Sequence, residues 1–242
     1  MPMLQRFRLL PLILTLVLTA AGILLGQWQT GRALEKEAIT RQMTLRQQMP
    51  ALRVQQWAEL AQLPQFSKVL LRGQFITQWS LYLDNRPLNG VSGRYVLMPF
   101  RPEGSQQAVV VMRGWQPRDP QDRNRVLPLR TPEGVVEIEG SIRTQPDHVM
   151  QLGQPDAIRP GVLLQNLDLS ALAAASGLTL SPVLVMQTSV ADDGLERAWP
   201  RPDAGAGKHR AYALQWYALS VMTVIFFVVT GIRRGRKQQT KT

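Results

Sequence analysis

The stretch AYALQWYALSVMTVIFFVVTGI, residues 211–232, runs for 22 residues without a charge. A helix needs about 20 such residues to cross a hydrocarbon core of ~30 Å. Near the other end, LLPLILTLVLTAAGILL, residues 9–25, adds a second uncharged run of 17. Together they predict an α+β membrane protein in which two transmembrane helices flank one water-exposed, mainly antiparallel β domain. The expected segments are a short N-terminus (1–8), a first span (9–28), a β-rich domain (29–210), a second span (211–232) and a basic tail (233–242). One rival remains for the first run: Arg6 and Arg8 also suit the n-region of a signal peptide, with residues 19–21 as the cleavage site. The apolar run continues past that site through Ile23, Leu24 and Leu25 to Trp28, as an uncleaved span does.

The net charge of +11 is located beside these runs. Arg6 and Arg8 precede the first; Arg233, Arg234, Arg236, Lys237 and Lys241 follow the second, with no acidic residue among them. The middle of the chain holds 21 basic and 17 acidic residues, a balance of only +4. This is the positive-inside distribution, which places both termini in the cytoplasm and the central domain across the membrane. A bacterial inner membrane with a periplasmic domain fits best. The basic tail reads as a topology anchor and not as a nucleic-acid patch. The chain has no cysteine, which excludes disulfides, thiolate metal sites and a cysteine nucleophile.

After the first span, residues 29–49 are rich in Glu, Gln, Arg, Leu and Met and predict a helix continuing out of the membrane until Pro50. Leu34, Ala38 and Leu45 form its apolar stripe, expected to pack on the domain. From residue 67 the period changes to two. Val69, Leu71, Gly73 and Phe75 share one face, opposed by Lys68, Arg72 and Gln74. Further strands are expected at 80–86, 95–100, 109–115, 135–143 and 183–188, separated by Pro- and Gly-rich breaks. The sheet is expected to be barrel-like or a sandwich, with one or two short helices. One helix is predicted at 169–176, capped by Asp168 or Ser170 and stopped by Gly177. Residues 192–207 read as a linker, with Asp192 and Asp193 in a solvated turn.

No phosphate loop, zinc-spaced cluster or nucleophile elbow is present. Asp119 and Asp122 lie among Arg118, Arg123 and Arg125, a charged loop. The one dense cluster is KHRAYALQWY, residues 208–217, at the entry to the second span. On a helix His209, Tyr212, Ala213 and Trp216 fall at i, i+3, i+4 and i+7 and share a face. Trp28 leaves the membrane at the same level. The aromatics suit either an interfacial belt or the walls of a ligand site. His209 is the candidate metal ligand, since a neutral imidazole commonly binds haem iron. Lys208 and Arg210 suit carboxylate substituents. Within the spans, Thr15, Thr19, Gln215, Ser220, Thr223 and Thr230 offer hydrogen bonds between helices.

The motifs occur in a recognisable order. Gly26-Gln27-Trp28-Gln29 with Arg32 and Lys36 comes first, then Gly73-Gln74-Phe75, Asn85-Arg86, Gly90 to Gly93 and Pro99-Phe100. Val110-Val111-Met112-Arg113-Gly114-Trp115-Gln116-Pro117 follows, then Gly140, Gln165-Asn166-Leu167-Asp168, Lys208-His209, Tyr212-Ala213 and Gln215-Trp216. The chain resembles the Surfeit locus protein one family, called Shy in yeast, over nearly its whole length. Met112 departs from the family's Asn before Arg-Gly-Trp. The resemblance implies a non-enzymatic assembly factor for a haem–copper terminal oxidase. It implies handling of haem A for subunit I, contact with the haem A synthesis machinery and the lipid bilayer, and no nucleic-acid partner. His209 becomes the candidate iron ligand, with Tyr212, Trp216, Trp28 and Arg210 around the haem. A purely structural scaffold for oxidase subunits is the alternative, and an uncharacterised extracytoplasmic enzyme a third reading.

Overall fold

The computed structural model describes residues 9–54, 57–146, 148–151, 153–200 and 205–239. Arg6, Arg8, Lys241 and residues 201–204 of the expected linker lie outside them. Helix α1 spans Leu9–Gln48, without a break at residues 19–21. Its 40 residues amount to about 60 Å at ~1.5 Å per residue, roughly twice a hydrocarbon core. The closing helix α4 spans Ala206–Gln239. Both are long and apolar enough to cross a membrane. Contacts divide the chain into two units: the segments up to Arg41 and from Arg201 form a helical unit, and Gln42–Pro200 a β unit.

The β unit contains, in order, β1 Leu52–Arg53, α2 Trp57–Leu60, β2 Lys68–Phe75, β3 Leu81–Leu83, β4 Gly93–Pro102, β5 Ala108–Pro117, β6 Val136–Arg143, β7 Leu163–Leu164, α3 Leu169–Ser176 and β8 Leu180–Gln187. Helix α3 starts and stops where its sequence dictates. The Asp168 carboxylate accepts from the amides of Ser170 and Ala171, and Gly177 ends the helix at φ 68°. The strands pair in the order β1-β2-β6-β8-β5-β4-β3-β7. A second pairing, β2 with β4, closes β2, β6, β8, β5 and β4 into a barrel. Most pairings are antiparallel; β1–β2, β3–β7 and β5–β8 are parallel.

Closure turns on Gly73. It pairs with Val136 on one side and Pro102 on the other, at the point where β2 passes from β6 to β4. A Cβ here would overlap the Arg101 carbonyl oxygen and crowd the Pro102 backbone. The barrel interior is filled by alternate residues from all five strands: Val69, Leu71, Phe100, Val109, Val111, Ile138, Ile142, Val183 and Val185, all buried. The opposite parity of β4, β5 and β8 points outward and is also buried. Leu97, Val110, Met112 and Leu184 pack there against Leu81, Leu83, Leu164 and Leu172 from β3, β7 and α3. β5 is covered on both faces, so it reads as a continuous apolar run. Met112 is a core residue on that outer face.

Residues 192–200 are not a linker. Glu196 bridges to Trp115, with amide–carbonyl bonds of 2.7 and 2.8 Å, so this segment continues the sheet alongside β5. Asp193 is buried and not in a solvated turn. Its Oδ2 accepts from Arg113 at 3.0 Å and from Arg197 at 2.6 Å. Arg113 stands at a β-bulge, where the β4–β5 register shifts. It also donates to the Arg130 carbonyl at 2.9 Å and lies 4.6 Å from the Phe75 ring. Burial pushes the Arg113 pKa below its ordinary value, and the Asp193 carboxylate opposes that shift. Adjacent Asp192 is fully exposed, on the bend formed by residues 192–194. Asp119 does belong to a charged loop: it accepts the amides of Gln121 and Asp122 and pairs with Arg125.

The motif Arg113-Gly114-Trp115 is thus structural at every position. Arg113 is held by Asp193. Gly114 has no room for a Cβ, which would sit 2.6 Å from the Leu195 Cβ. The Trp115 indole donates to the Arg86 carbonyl at 2.6 Å. Arg86 in turn ties the Asp84 and Gln165 carbonyls at 2.7 and 2.8 Å, which joins three of the quoted motifs.

Two stability measurements on the detergent-solubilised full chain test this. Gly73→Ala should destabilise by about 1–3 kcal/mol through overpacking against backbone. Asp193→Ala strands a buried guanidinium and should cost about 3–5 kcal/mol, while Asp192→Ala should stay within ~0.5 kcal/mol. Equal melting temperatures for the two aspartate variants would overturn the buried-triad assignment.

Candidate functional site

The helical unit is an antiparallel pair formed by the N-terminal part of α1 and by α4. On α4 the sheltered positions are His209, Ala213, Trp216, Tyr217, Ser220, Thr223, Phe227 and Thr230. On α1 they include Thr15, Thr19, Gly22, Gly26, Thr30, Ala33 and Thr40. Both sets step by three and four, so each makes one stripe. At the centre the backbones approach closely. A Cβ on Gly22 would meet the Ser220 hydroxyl, and one on Gly26 would enter the Tyr217 ring. Small residues of this kind let membrane helices pack by van der Waals contact, where no hydrophobic force drives them together. Most hydroxyls turn back to their own helix: Thr15 to the Pro11 carbonyl, Thr223 to Leu219 and Thr230 to Phe226. Ser220 reaches across, donating to the Thr19 carbonyl at 3.3 Å as well as to Trp216 at 3.0 Å.

Above this seam α1 does not use the stripe expected for it. Leu34, Ala38 and Leu45 are exposed, and Ala33 is buried instead. The reason is register: Ala33 stands seven residues after Gly26 and stays on the face turned to α4, while Leu34 is rotated by about 100°. Two further heptad steps supply the polar contacts. Gln29 is seven residues after Gly22, and its Oε1 lies 2.6 Å from His209 Nδ1. Glu37 is seven after Thr30, and its carboxylate takes two parallel bonds from Arg210, at 2.6 and 2.8 Å. Glu37 did not stand out in the sequence, and Gln29 did so only as part of the Gly26-Gln27-Trp28-Gln29 motif, with no role of its own, although the seven-residue steps from the glycine and threonine were there to be read.

His209 is therefore oriented at the end of the helix pair where charged residues begin. The carbonyl oxygen of Gln29 can only accept, so Nδ1 carries the proton in this arrangement. His209 Nε2 makes no hydrogen bond among the described residues, and the ring is partly exposed. Ala213 is buried one turn away and Trp216 is half-buried on the same side. Tyr212 and Trp28 lie outside the seam, 54% and 55% exposed. Arg210 is engaged by Glu37, while Lys208 is exposed and forms no ion pair among the described residues. No group of three or more chelating side chains occurs among the described residues. A lone imidazole with a bare nitrogen suits a metal whose other donors come from a macrocycle.

The Arg210 hydrogen bonds, more than its charge alone, hold Glu37 below the ordinary carboxylate pKa of 4.5. A depressed carboxylate adds stability that is present above its unfolded pKa and is lost as pH falls through the folded one. Titrating the Glu37 carboxyl by carbon NMR should give a midpoint below 4.5, shifting upward in Arg210→Gln. The same midpoint in both proteins would refute the pairing.

Comparison with curated proteins gives no match. A family model described as the SURF1 family matches residues 16–221, reaching into both apolar helices and taking in the whole β unit. With that match covering most of the chain, this membrane protein belongs to the SURF1 family, whose members are linked to the assembly of cytochrome oxidase.

Proposed function

We propose that the protein holds haem A, and passes it to subunit I of a haem–copper oxidase, at the end of the helix pair marked by His209. Bound haem would supply an iron centre that a neutral imidazole such as His209 would hold. The observation that carries the proposal is the His209 ring itself, anchored through Nδ1 by Gln29 with Nε2 left bare. Ala213 and Trp216 follow His209 at i+4 and i+7 on the same side of α4, a small residue and an aromatic one that suit a flat macrocycle. Trp28 and Tyr212 add aromatic surface at the same level, in keeping with an interfacial position. Lys208 is the cation available to a haem carboxylate; Arg210 serves only by exchanging Glu37 for it. The charge distribution supports a reading in which this end lies at the outer face of a bacterial inner membrane, with the β unit periplasmic. Work of this kind is binding and release, without turnover.

The outward faces of the helices support a second reading. Leu14, Val17, Leu214, Val221 and Phe226 are exposed along both apolar segments. Such faces suit lipid or the helices of an oxidase subunit, and a scaffold acting through them would need no haem. One experiment separates the two. The protein is purified from cells that make haem A, as wild type and as His209→Ala. The proposal expects haem in the first and a loss of at least tenfold in the second. Equal haem contents, with oxidase assembly intact in the variant, would leave the scaffold reading.

A further inference from the structure

We infer that Gln29 is a positioning residue: from α1, it sets the tautomer of His209 on α4 and so makes Nε2 the ligating atom. This rests on the haem-binding reading for its purpose, but its physical content is independent of haem. Neutral imidazole exists as two tautomers, and the partner of one nitrogen decides which nitrogen holds the proton. Here the partner of Nδ1 is an amide oxygen at 2.6 Å. An amide oxygen has no proton to give, so the bond forms only with Nδ1 protonated. Nε2 is then the nitrogen with a free lone pair. Metal-bound histidines generally donate their other N–H to a carboxylate or carbonyl, which fixes ring orientation and raises ligand basicity. A glutamine side-chain oxygen meets the same requirement.

The placement of Gln29 makes the device conditional on helix pairing. It follows Gly22 by one heptad, on the face that contacts α4. It follows Trp28, whose ring is exposed on another side of the helix. No other side chain is bonded to His209 among the described residues. The imidazole is thus prepared as a ligand only while Gly22 and Gly26 lie against Ser220 and Tyr217. Separating the helices would free the ring to take either tautomer.

The test uses the full-length protein in nanodiscs with nitrogen-15-labelled histidine. The chain has two histidines, so a His148→Gln background isolates the His209 signals. Wild type should show a protonated Nδ1 and an unprotonated Nε2 at neutral pH. Gln29→Leu should shift the population toward the other tautomer. Gln29→Glu, which keeps an acceptor at the same place, should restore the wild-type pattern and shows that the helices still pair. An unchanged tautomer in Gln29→Leu, or protonated Nε2 in wild type, would overturn the inference. Titration with iron protoporphyrin IX is read separately. Gln29→Leu should weaken binding roughly 10–100-fold, as loss of outer-shell partners does, and Gln29→Glu should recover most of it. If His209→Ala binds this probe as well as wild type while the tautomer result holds, the haem reading fails and the role of Gln29 stands.

Discussion

The close approach of the two long helices at Gly22 and Gly26 is the contact on which the candidate site depends. With any larger residue at these positions, the Ser220 hydroxyl and the Tyr217 ring would have to move outward. Everything above them follows from the register they impose. Seven residues after Gly22 comes Gln29, opposite His209; seven after Gly26 comes Ala33, buried in the seam; seven after Thr30 comes Glu37, opposite Arg210. A seam with small residues at its centre and polar contacts at its end holds the helices in one register. An exposed ion pair such as Glu37–Arg210 contributes little to stability by itself. Its bidentate geometry does fix the rotation of α4 that turns His209 toward Gln29.

The β unit depends on a different kind of constraint. Its barrel is closed by apolar packing, but its bulged edge carries a buried cluster of two arginines and one aspartate. Such clusters add little net stability compared with an apolar core, and they penalise strongly any arrangement that leaves one charge alone. Arg113 therefore admits one course for the chain after β8, the one that brings Asp193 beneath it and lays Glu196 beside Trp115. The sequence motifs divide along this line. Those in the β unit, from Asn85-Arg86 through Arg113-Gly114-Trp115, are bound up in holding the fold. Lys208-His209 and Gln29 are not needed for any core.

Much of this was legible in the residues. The strand at 68–75 and the helix at 169–176 matched to the residue, because one-sided burial writes a clear period, Gly177 marks the stop, and of the two caps offered, Asp168 and Ser170, Asp168 serves. The two apolar helices were legible for the same reason. What was hidden depends on partners distant in sequence. Asp193 looks like its neighbour Asp192 until Arg113, 80 residues earlier, is placed above it. The parallel pairing of β5 with β8 and the double pairing of Gly73 leave no local trace. At the site, His209 was visible because histidine is rare in this chain. Gln29 was quoted only as the last residue of the Gly26-Gln27-Trp28-Gln29 motif; its role was hidden, because a glutamine at the end of a span shows no function without its partner. The stripe assigned to Leu34, Ala38 and Leu45 failed on register: the face turned to α4 is set by Gly22 and Gly26 and carries Ala33, not its neighbour Leu34.

The most direct measurement of the central claim is a cross-link across the seam. The chain has no native cysteine, and a Cβ on Gly22 would lie 3.4 Å from that of Ser220, near the ~3.5–4.5 Å spacing of a disulfide. Membranes carrying Gly22→Cys with Ser220→Cys should give an intramolecular disulfide on mild oxidation, and Gly22→Cys with Leu219→Cys should not. Equal cross-linking of both pairs, or none in the first, would contradict the packing that brings Gln29 to His209.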